Sequence, residues 1–152
     1  MLQDGDKAPE IELPLDGGET LKLSRLKGKP VVVYFYPKDD TSGCTTEAKD
    51  FTRLAPEFRK AGVEVIGISP DGVEAHAKFR KKHGLAVKLA ADTDKAAATA
   101  YGVWVEKSMY GRTYMGAERS TFVIGPDGVV REVLRKVKPA EHDALVLAAL
   151  AV

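Results

Sequence analysis

Cysteine is almost absent from this chain of 152 residues: Cys44 is the only one. One thiol allows no intrachain disulfide and no Cys-x-x-Cys pair, so a disulfide-stapled fold and a dithiol oxidoreductase are both excluded. A lone thiol suits a reducing compartment, and a cytoplasmic location is expected. Neither sign of charge is in excess, since 23 Lys and Arg stand against 22 Asp and Glu for a net charge of +1. Nucleic-acid modules usually carry a basic surplus, so no nucleic-acid partner is expected. No run reaches the roughly 20 apolar residues of a membrane helix, and no membrane partner is expected. The opening MLQDGDKAPEIELPL lacks an apolar core behind a basic start and does not read as a secretory signal. His76 and His83 lie seven apart, with too few companions to ligate a metal, so neither a metal nor another cofactor is expected.

What is present is ordinary globular composition, with 44% hydrophobic and 30% charged residues, 14 Gly and 8 Pro. A chain of this length buries roughly 70% of its unfolded surface and needs no staple, so residues 1–152 are read as a single domain. Residues 11–23 read as two short strands around Asp16-Gly17-Gly18. Residues 31–36 (VVVYFY) form a solid β-branched and aromatic run, which predicts a strand buried on both faces; Pro37 ends it. After a polar loop over 38–43, Ala48, Phe51, Leu54, Ala55 and Phe58 recur at helical spacing, with Pro56 expected to kink or restart the helix and Gly62 to end it. Residues 63–68 read as a second central strand. Residues 73–83 read as a charged surface helix closed by Gly84.

Residues 87–90 read as a short strand and 92–101 as an Ala-rich helix. Strands at 120–124 and 129–134 flank Pro126-Asp127-Gly128, a turn sequence that favours a hairpin. A last helix is expected over 142–151, after Pro139. Helices alternate with strands early and a hairpin comes late. That order predicts an α/β fold whose mixed sheet has parallel central strands, an antiparallel edge and an N-terminal hairpin extension. A thioredoxin-like three-layer sandwich fits it best.

Cys44 falls just after the first central strand, where a helix begins. Ligands of open α/β sheets bind beyond the carboxyl ends of strands, and a helix N-terminus favours a thiolate. Single cysteines are also common as small buried hydrophobes. The polar junction TSGCTTE suits a reactive thiol better. The neighbours carry plain readings too. Thr41 or Ser42 serves as a helix cap, Glu47 as a favourable charge in the first turn, and Arg119 as a solvated surface arginine. Asp39 and Asp40 read as solvated loop charges, and Trp104, Tyr110 and Tyr114 as packing.

Pro37, Thr41 and Cys44 match the Pro-x-x-x-Thr-x-x-Cys signature of peroxiredoxins. The surrounding YFYPKDDTSGCTTEAKDF resembles the peroxiredoxin Q, or bacterioferritin comigratory protein, subfamily. So do GDKAPEIELP near the start, YGVWVEKSMYGRTYMG from Tyr101, and ERSTFVI from Glu118, so the resemblance spans nearly the whole chain. It implies a thioredoxin-like fold and reduction of hydrogen peroxide and organic hydroperoxides. It also implies Cys44 as the attacking sulfur with Pro37, Thr41 and Arg119 around it, and a monomer. Gly43, Glu47 and Tyr36 are further candidates for the pocket.

One departure stands out. Many members of the subfamily carry a resolving cysteine five residues after the attacking one, where this chain has Lys49, and others carry it in the helix read here over 73–83, which has none. The chain therefore resembles a one-cysteine form resolved by an external thiol such as thioredoxin, glutaredoxin with glutathione, or a small thiol. A peroxide sensor that oxidises a partner protein, and a binding module without turnover, are the competing readings.

Activating the thiol is not enough for fast catalysis. Lowering a thiol pKa from about 8.5 to about 6 raises its thiolate fraction at pH 7 roughly 30-fold. The accompanying loss of nucleophilicity is roughly tenfold. The larger effect has to act on the charge that spreads over S, O and O as the peroxide bond breaks. A permanently protonated Arg119, the Thr41 hydroxyl, and N–H groups near Gly43 and Cys44 are suited to that, while Pro37 shapes and shields the pocket.

Overall fold

The computed structural model describes residues 2–135. The helix expected over 142–151 lies outside them. A five-stranded sheet is formed by β3 (Val31–Phe35), β4 (Glu64–Ser69), β5 (Lys88–Ala91), β8 (Ser120–Ile124) and β9 (Val130–Arg135). Its strand order is β5-β4-β3-β8-β9. β3, β4 and β5 run parallel, and β8 and β9 close one side antiparallel. Parallel neighbours need crossover connections, and helices supply them. α1 (Ser42–Arg53) and α2 (Ala55–Lys60) join β3 to β4, and α3 (Val73–His83) joins β4 to β5. The short α4 (Ala96–Ala100) follows β5.

All five residues of β3 are buried, because both faces of the strand are covered. Val31, Val33 and Phe35 point into one core with Ile66, Ile68, Tyr101 and Phe122. Val32, Tyr34 and Tyr36 point into the other with Cys44, Phe51, Phe58 and Phe79. The first core is capped by the hairpin of β1 (Glu12–Pro14) and β2 (Thr20–Lys22) together with α4. The second is capped by α1, α2 and α3. These three layers, with mixed strand direction, are the thioredoxin-like sandwich expected from the element order.

Several local expectations are corrected. The polar loop is shorter than read, since α1 already starts at Ser42. The break near Pro56 falls at Leu54, where φ −92° and ψ 3° interrupt the helix and place Pro56 at the start of α2. α3 is not simply a surface helix, because His76 and Phe79 are buried. The span between Tyr101 and Ser120, to which the sequence reading assigned no strand, is a hairpin of β6 (Trp104–Met109) and β7 (Arg112–Ala117). Its turn places Tyr110 and Gly111 at φ 52° and 79°, the double left-handed geometry of tight hairpins.

Candidate active site

Cys44 is the third residue of α1 and only 1% exposed. The strand direction explains its surroundings. β3 delivers the chain to the edge where Tyr36, Pro37 and α1 begin. β8 runs antiparallel to β3, with Ser120 opposite Phe35, so the residue before β8 arrives at that same edge. That residue is Arg119. Its Nη2 donates to Cys44 Sγ at 3.2 Å, although the two are 75 positions apart.

The other arm of Arg119 is held as well, with Nη1 donating to Glu47 Oε1 at 2.7 Å. Glu47 lies three residues past Cys44, one turn along the helix, so both side chains leave α1 on the same face. Glu47 is fully buried and the Arg119 side chain is only 16% exposed. Burial works against the guanidinium charge. The charges of Glu47 and Cys44 and their hydrogen bonds outweigh it and raise the Arg119 pKa. The surface-arginine reading of Arg119 is thereby overturned, as is the reading of Glu47 as a simple first-turn charge.

Thr41 precedes α1 in extended conformation, and its hydroxyl donates to the Lys38 carbonyl at 2.9 Å instead of capping the helix. No side chain caps the first turn of α1 among the described residues. Gly43 is the second residue of that turn and is partly buried, as is Pro37 at the end of β3. Tyr36 is buried, and its hydroxyl donates to Asp39 Oδ1 at 2.5 Å. Cys44 packs in the same core as Tyr34, whose ring stacks on Phe51 at 4.7 Å and on Tyr36 at 5.6 Å. Burial, then the nearby Glu47, Cys44 and Asp39, push the Tyr34 phenol well above its usual pKa and keep it neutral.

Other plain readings change. Asp39 is not a solvated charge: it is 9% exposed and lies 2.6 Å from His76 Nδ1. Asp40 is exposed yet accepts from Lys82 at 2.7 Å and lies 2.8 Å from His83 Nε2. Tyr110 and Tyr114 do not pack in the core; they stand 99% and 45% exposed on the β6–β7 hairpin, while Trp104 is partly buried.

Beside Arg119 opens a cleft of about 690 Å³ whose walls include Val105, Lys107, Ser108, Tyr114 and Glu118. Lys107 Nζ donates to the Ala117 carbonyl at 2.5 Å, and its stem lies against Gly116. A smaller cavity of about 400 Å³, lined by Lys7, Leu23, Val31 and Ile124, opens at the other end of β3 and holds none of these groups. Sequence reading missed Tyr34, Asp39, His76 and Lys107 as neighbours of the site. Only the central-strand run around Tyr34 carried any signal. Among the described residues no group of three or more His, Cys, Asp or Glu is placed to hold a metal ion.

The AhpC/TSA family matches residues 5–133. Peroxiredoxin Bcp of Bacillus subtilis is 48% identical over 149 residues, covering 98% of this chain and 95% of that protein. The Xanthomonas campestris bacterioferritin comigratory protein, studied for its alkyl peroxide reduction activity, superposes with a TM-score of 0.88 at 48% identity, covering 93% of this chain and 90% of that one. A cysteine-to-serine mutant of PrxQ from Xylella fastidiosa superposes with a TM-score of 0.94 at 37% identity, covering 99% of this chain and 96% of that one.

Proposed function

Because the chain belongs to the AhpC/TSA family and is a thiol peroxidase with full-length relatives of the peroxiredoxin Bcp type, we propose that it reduces hydroperoxides at Cys44, with Arg119 as the principal electrostatic catalyst. The observation that carries this reading is the fork of Arg119, one arm on Cys44 Sγ at 3.2 Å and the other on the buried Glu47. A guanidinium held this way is already aimed where negative charge develops, and a dry site strengthens its effect.

The steps balance with one sulfur. The Cys44 thiolate attacks one peroxide oxygen. The S–O bond forms as the O–O bond breaks, and the departing alkoxide or hydroxide takes up a proton. Arg119 stabilises the charge spread over sulfur and oxygen. Thr41, whose hydroxyl proton is on Lys38, keeps its oxygen lone pairs to accept the peroxide hydrogen. The N–H groups of the first α1 turn, around Gly43 and Cys44, favour the anion. Pro37 shields the site and adds no competing donor. Tyr36 acts from behind the site through Asp39. The product is a Cys44 sulfenic acid. An external thiol attacks its sulfur and releases water, and a second thiol then frees Cys44 and leaves as a disulfide.

With Lys49 in place of a resolving cysteine and no other thiol in the chain, that reductant is thioredoxin, glutaredoxin with glutathione, or a small thiol. Cys44, Thr41, Glu47 and Arg119 come from one chain, so a monomer is a complete catalyst. No helix of the described residues is long and apolar enough to cross a membrane. A sulfur that must be re-reduced each cycle suits a reducing cytoplasm.

The test is Cys44→Ser, assayed for peroxide consumption with a supplied thiol. A serine hydroxyl is almost never ionised at neutral pH, so turnover should vanish while the fold survives. Retained turnover overturns the proposal.

A further inference from the structure

Behind the site lies a buried polar cluster that the chemistry above reaches only through the Tyr36 hydroxyl. His76 is 0% exposed, in the second turn of α3. Its Nε2 sits 3.0 Å from the Ala90 carbonyl on β5, and its Nδ1 sits 2.6 Å from Asp39 Oδ2. The Tyr36 hydroxyl donates to the other Asp39 oxygen.

The partners fix the hydrogens. A carbonyl only accepts, so Nε2 carries a hydrogen. A bare Nδ1 and an ionised carboxylate would present lone pairs to each other across 2.6 Å, so a proton lies between them. Asp39 and His76 therefore share one proton, and the pair has no net charge. Every polar atom of the cluster is then matched, which a buried network requires.

The cluster also does something to the chain. The Asp39 N–H donates to Asp71 Oδ2 at 2.7 Å, and Asp71 is held in turn by Ser69 Oγ at 2.7 Å. At Asp40 the backbone enters the left-handed region, φ 60°, and its carboxylate meets Lys82 and His83. Thr41 and α1 come next. The turn that delivers the site is thus held from behind by α3 and the end of β4, in addition to the bond from Thr41 to the Lys38 carbonyl within it. A displacement of about 1 Å in a reacting group is enough to cost about 100-fold in rate.

We propose that the Asp39–His76 pair, sharing one proton, is a positioning device for the peroxidase reaction: it fixes the turn that sets Thr41 and the first turn of the Cys44 helix opposite Arg119. The proposal rests on the reading of Thr41, Cys44 and Arg119 as the reacting groups.

The test compares Asp39→Ala and Asp39→Asn with the wild type in two rate constants, Cys44 oxidation by hydrogen peroxide and Cys44 alkylation by iodoacetamide across pH. Alkylation needs the thiolate but not Thr41. Alanine strands the Tyr36 hydroxyl and His76 Nδ1, and peroxide oxidation should fall at least about tenfold while alkylation stays within about twofold. Asparagine rebuilds the network. Its oxygen accepts from Tyr36, its amide donates to a neutral His76 Nδ1, and Nε2 still donates to Ala90. No net charge is lost, so the peroxide rate should stay within about threefold and the alkylation pH profile should not move.

A folded Asp39→Ala protein with the wild-type peroxide rate overturns the proposal. So does an Asp39→Asn profile displaced to lower pH, which would reveal Asp39 as an unprotonated anion beside the site. If the alanine variant does not fold, the asparagine variant decides alone by the same two readouts. A wild-type Cys44 that meets peroxide no faster than a free thiol would instead remove the underlying peroxidase reading.

Discussion

Glu47 Oε1 lies 2.7 Å from Arg119 Nη1, and both groups are withdrawn from water. The same guanidinium donates to Cys44 Sγ with its other arm, so the carboxylate has a positional role. Holding Arg119 in register with the sulfur is that role. In Glu47→Ala the guanidinium stays largely buried without its anchor, and the peroxide rate should fall by about tenfold or more. Glu47→Gln keeps an oxygen to accept from Nη1 and should retain most of the rate. Stopped-flow oxidation of Cys44 in the two variants checks this; equal losses would show that charge, not anchoring, is what Glu47 provides.

Arg119 is expected to act on the transition state beyond any effect on the thiol's ionisation. Arg119→Ala should lose about 100-fold or more in peroxide rate. The comparison with wild type belongs at a pH where alkylation shows both thiols fully ionised. Converging rates there would mean that Arg119 only promotes ionisation.

Lys49 is exposed on α1, whereas Cys44 is buried. Five residues along a helix separate them by about 140° around the axis and about 7.5 Å along it. A disulfide needs β-carbons within about 4.5 Å. Lys49→Cys should therefore bridge to an oxidised Cys44 only if the first turns of α1 unwind. The clamps on Asp39 and Asp40 oppose that unwinding, so the introduced thiol should stay free in a non-reducing peptide map while the sulfenic acid persists. A high-yield bridge would show that the helix start opens on oxidation.

Gly67 on β4 lies under the Tyr34 ring, where an added β-carbon would come within 2.7 Å of two Tyr34 side-chain atoms. Tyr34 in turn stacks on Phe51 of α1. Gly67→Ala should lower unfolding stability by about 1–3 kcal/mol, the usual cost of overpacking. It should also slow Cys44 oxidation by pushing the ring against the helix that carries the sulfur. Urea denaturation and stopped-flow oxidation measure the two effects; a variant unchanged in both would mean that this contact yields freely.

Alkali should unfold the protein through its buried tyrosines. Burial is the leading cause that raises the phenols of Tyr34, Tyr36 and Tyr101. The unfolded chain releases these protons near pH 10 and the folded chain later. Their contribution is complete below about pH 10 and is lost as pH climbs toward the folded values, at ~1.4 kcal/mol per pH unit for each tyrosine. Tyrosinate absorbance from the buried rings should rise together with loss of the far-ultraviolet dichroism. Ionisation of all three in a still-folded protein would contradict the burial argument.

The parts of the fold that were legible in sequence are those where local pattern and tertiary role agree. VVVYFY is apolar throughout because β3 is covered on both faces, and Gly84 ends α3 in the left-handed conformation expected of a helix stop. The β6–β7 hairpin was not legible. Most of its residues are partly or fully exposed, so no clean alternation marks them, and its turn is Tyr-Gly instead of the stronger Asn-Gly signal. Cys44 was marked by its place after a central strand, and Thr41, Pro37 and Arg119 by resemblance. The Glu47–Arg119 and Asp39–His76 pairs join residues 72 and 37 positions apart, and only the sheet topology brings them together. Asp39 looks like any loop carboxylate until His76 is set against it.

The most direct measurement is the intact mass of the protein after one equivalent of hydrogen peroxide, with no thiol present, followed by addition of a thiol. Cys44 should gain a single oxygen that dimedone traps, with no covalent dimer, and the thiol should restore the starting mass. Peroxide consumed while Cys44 stays unmodified, or an oxidised Cys44 that no external thiol returns to its reduced form, would contradict a one-sulfur peroxidase.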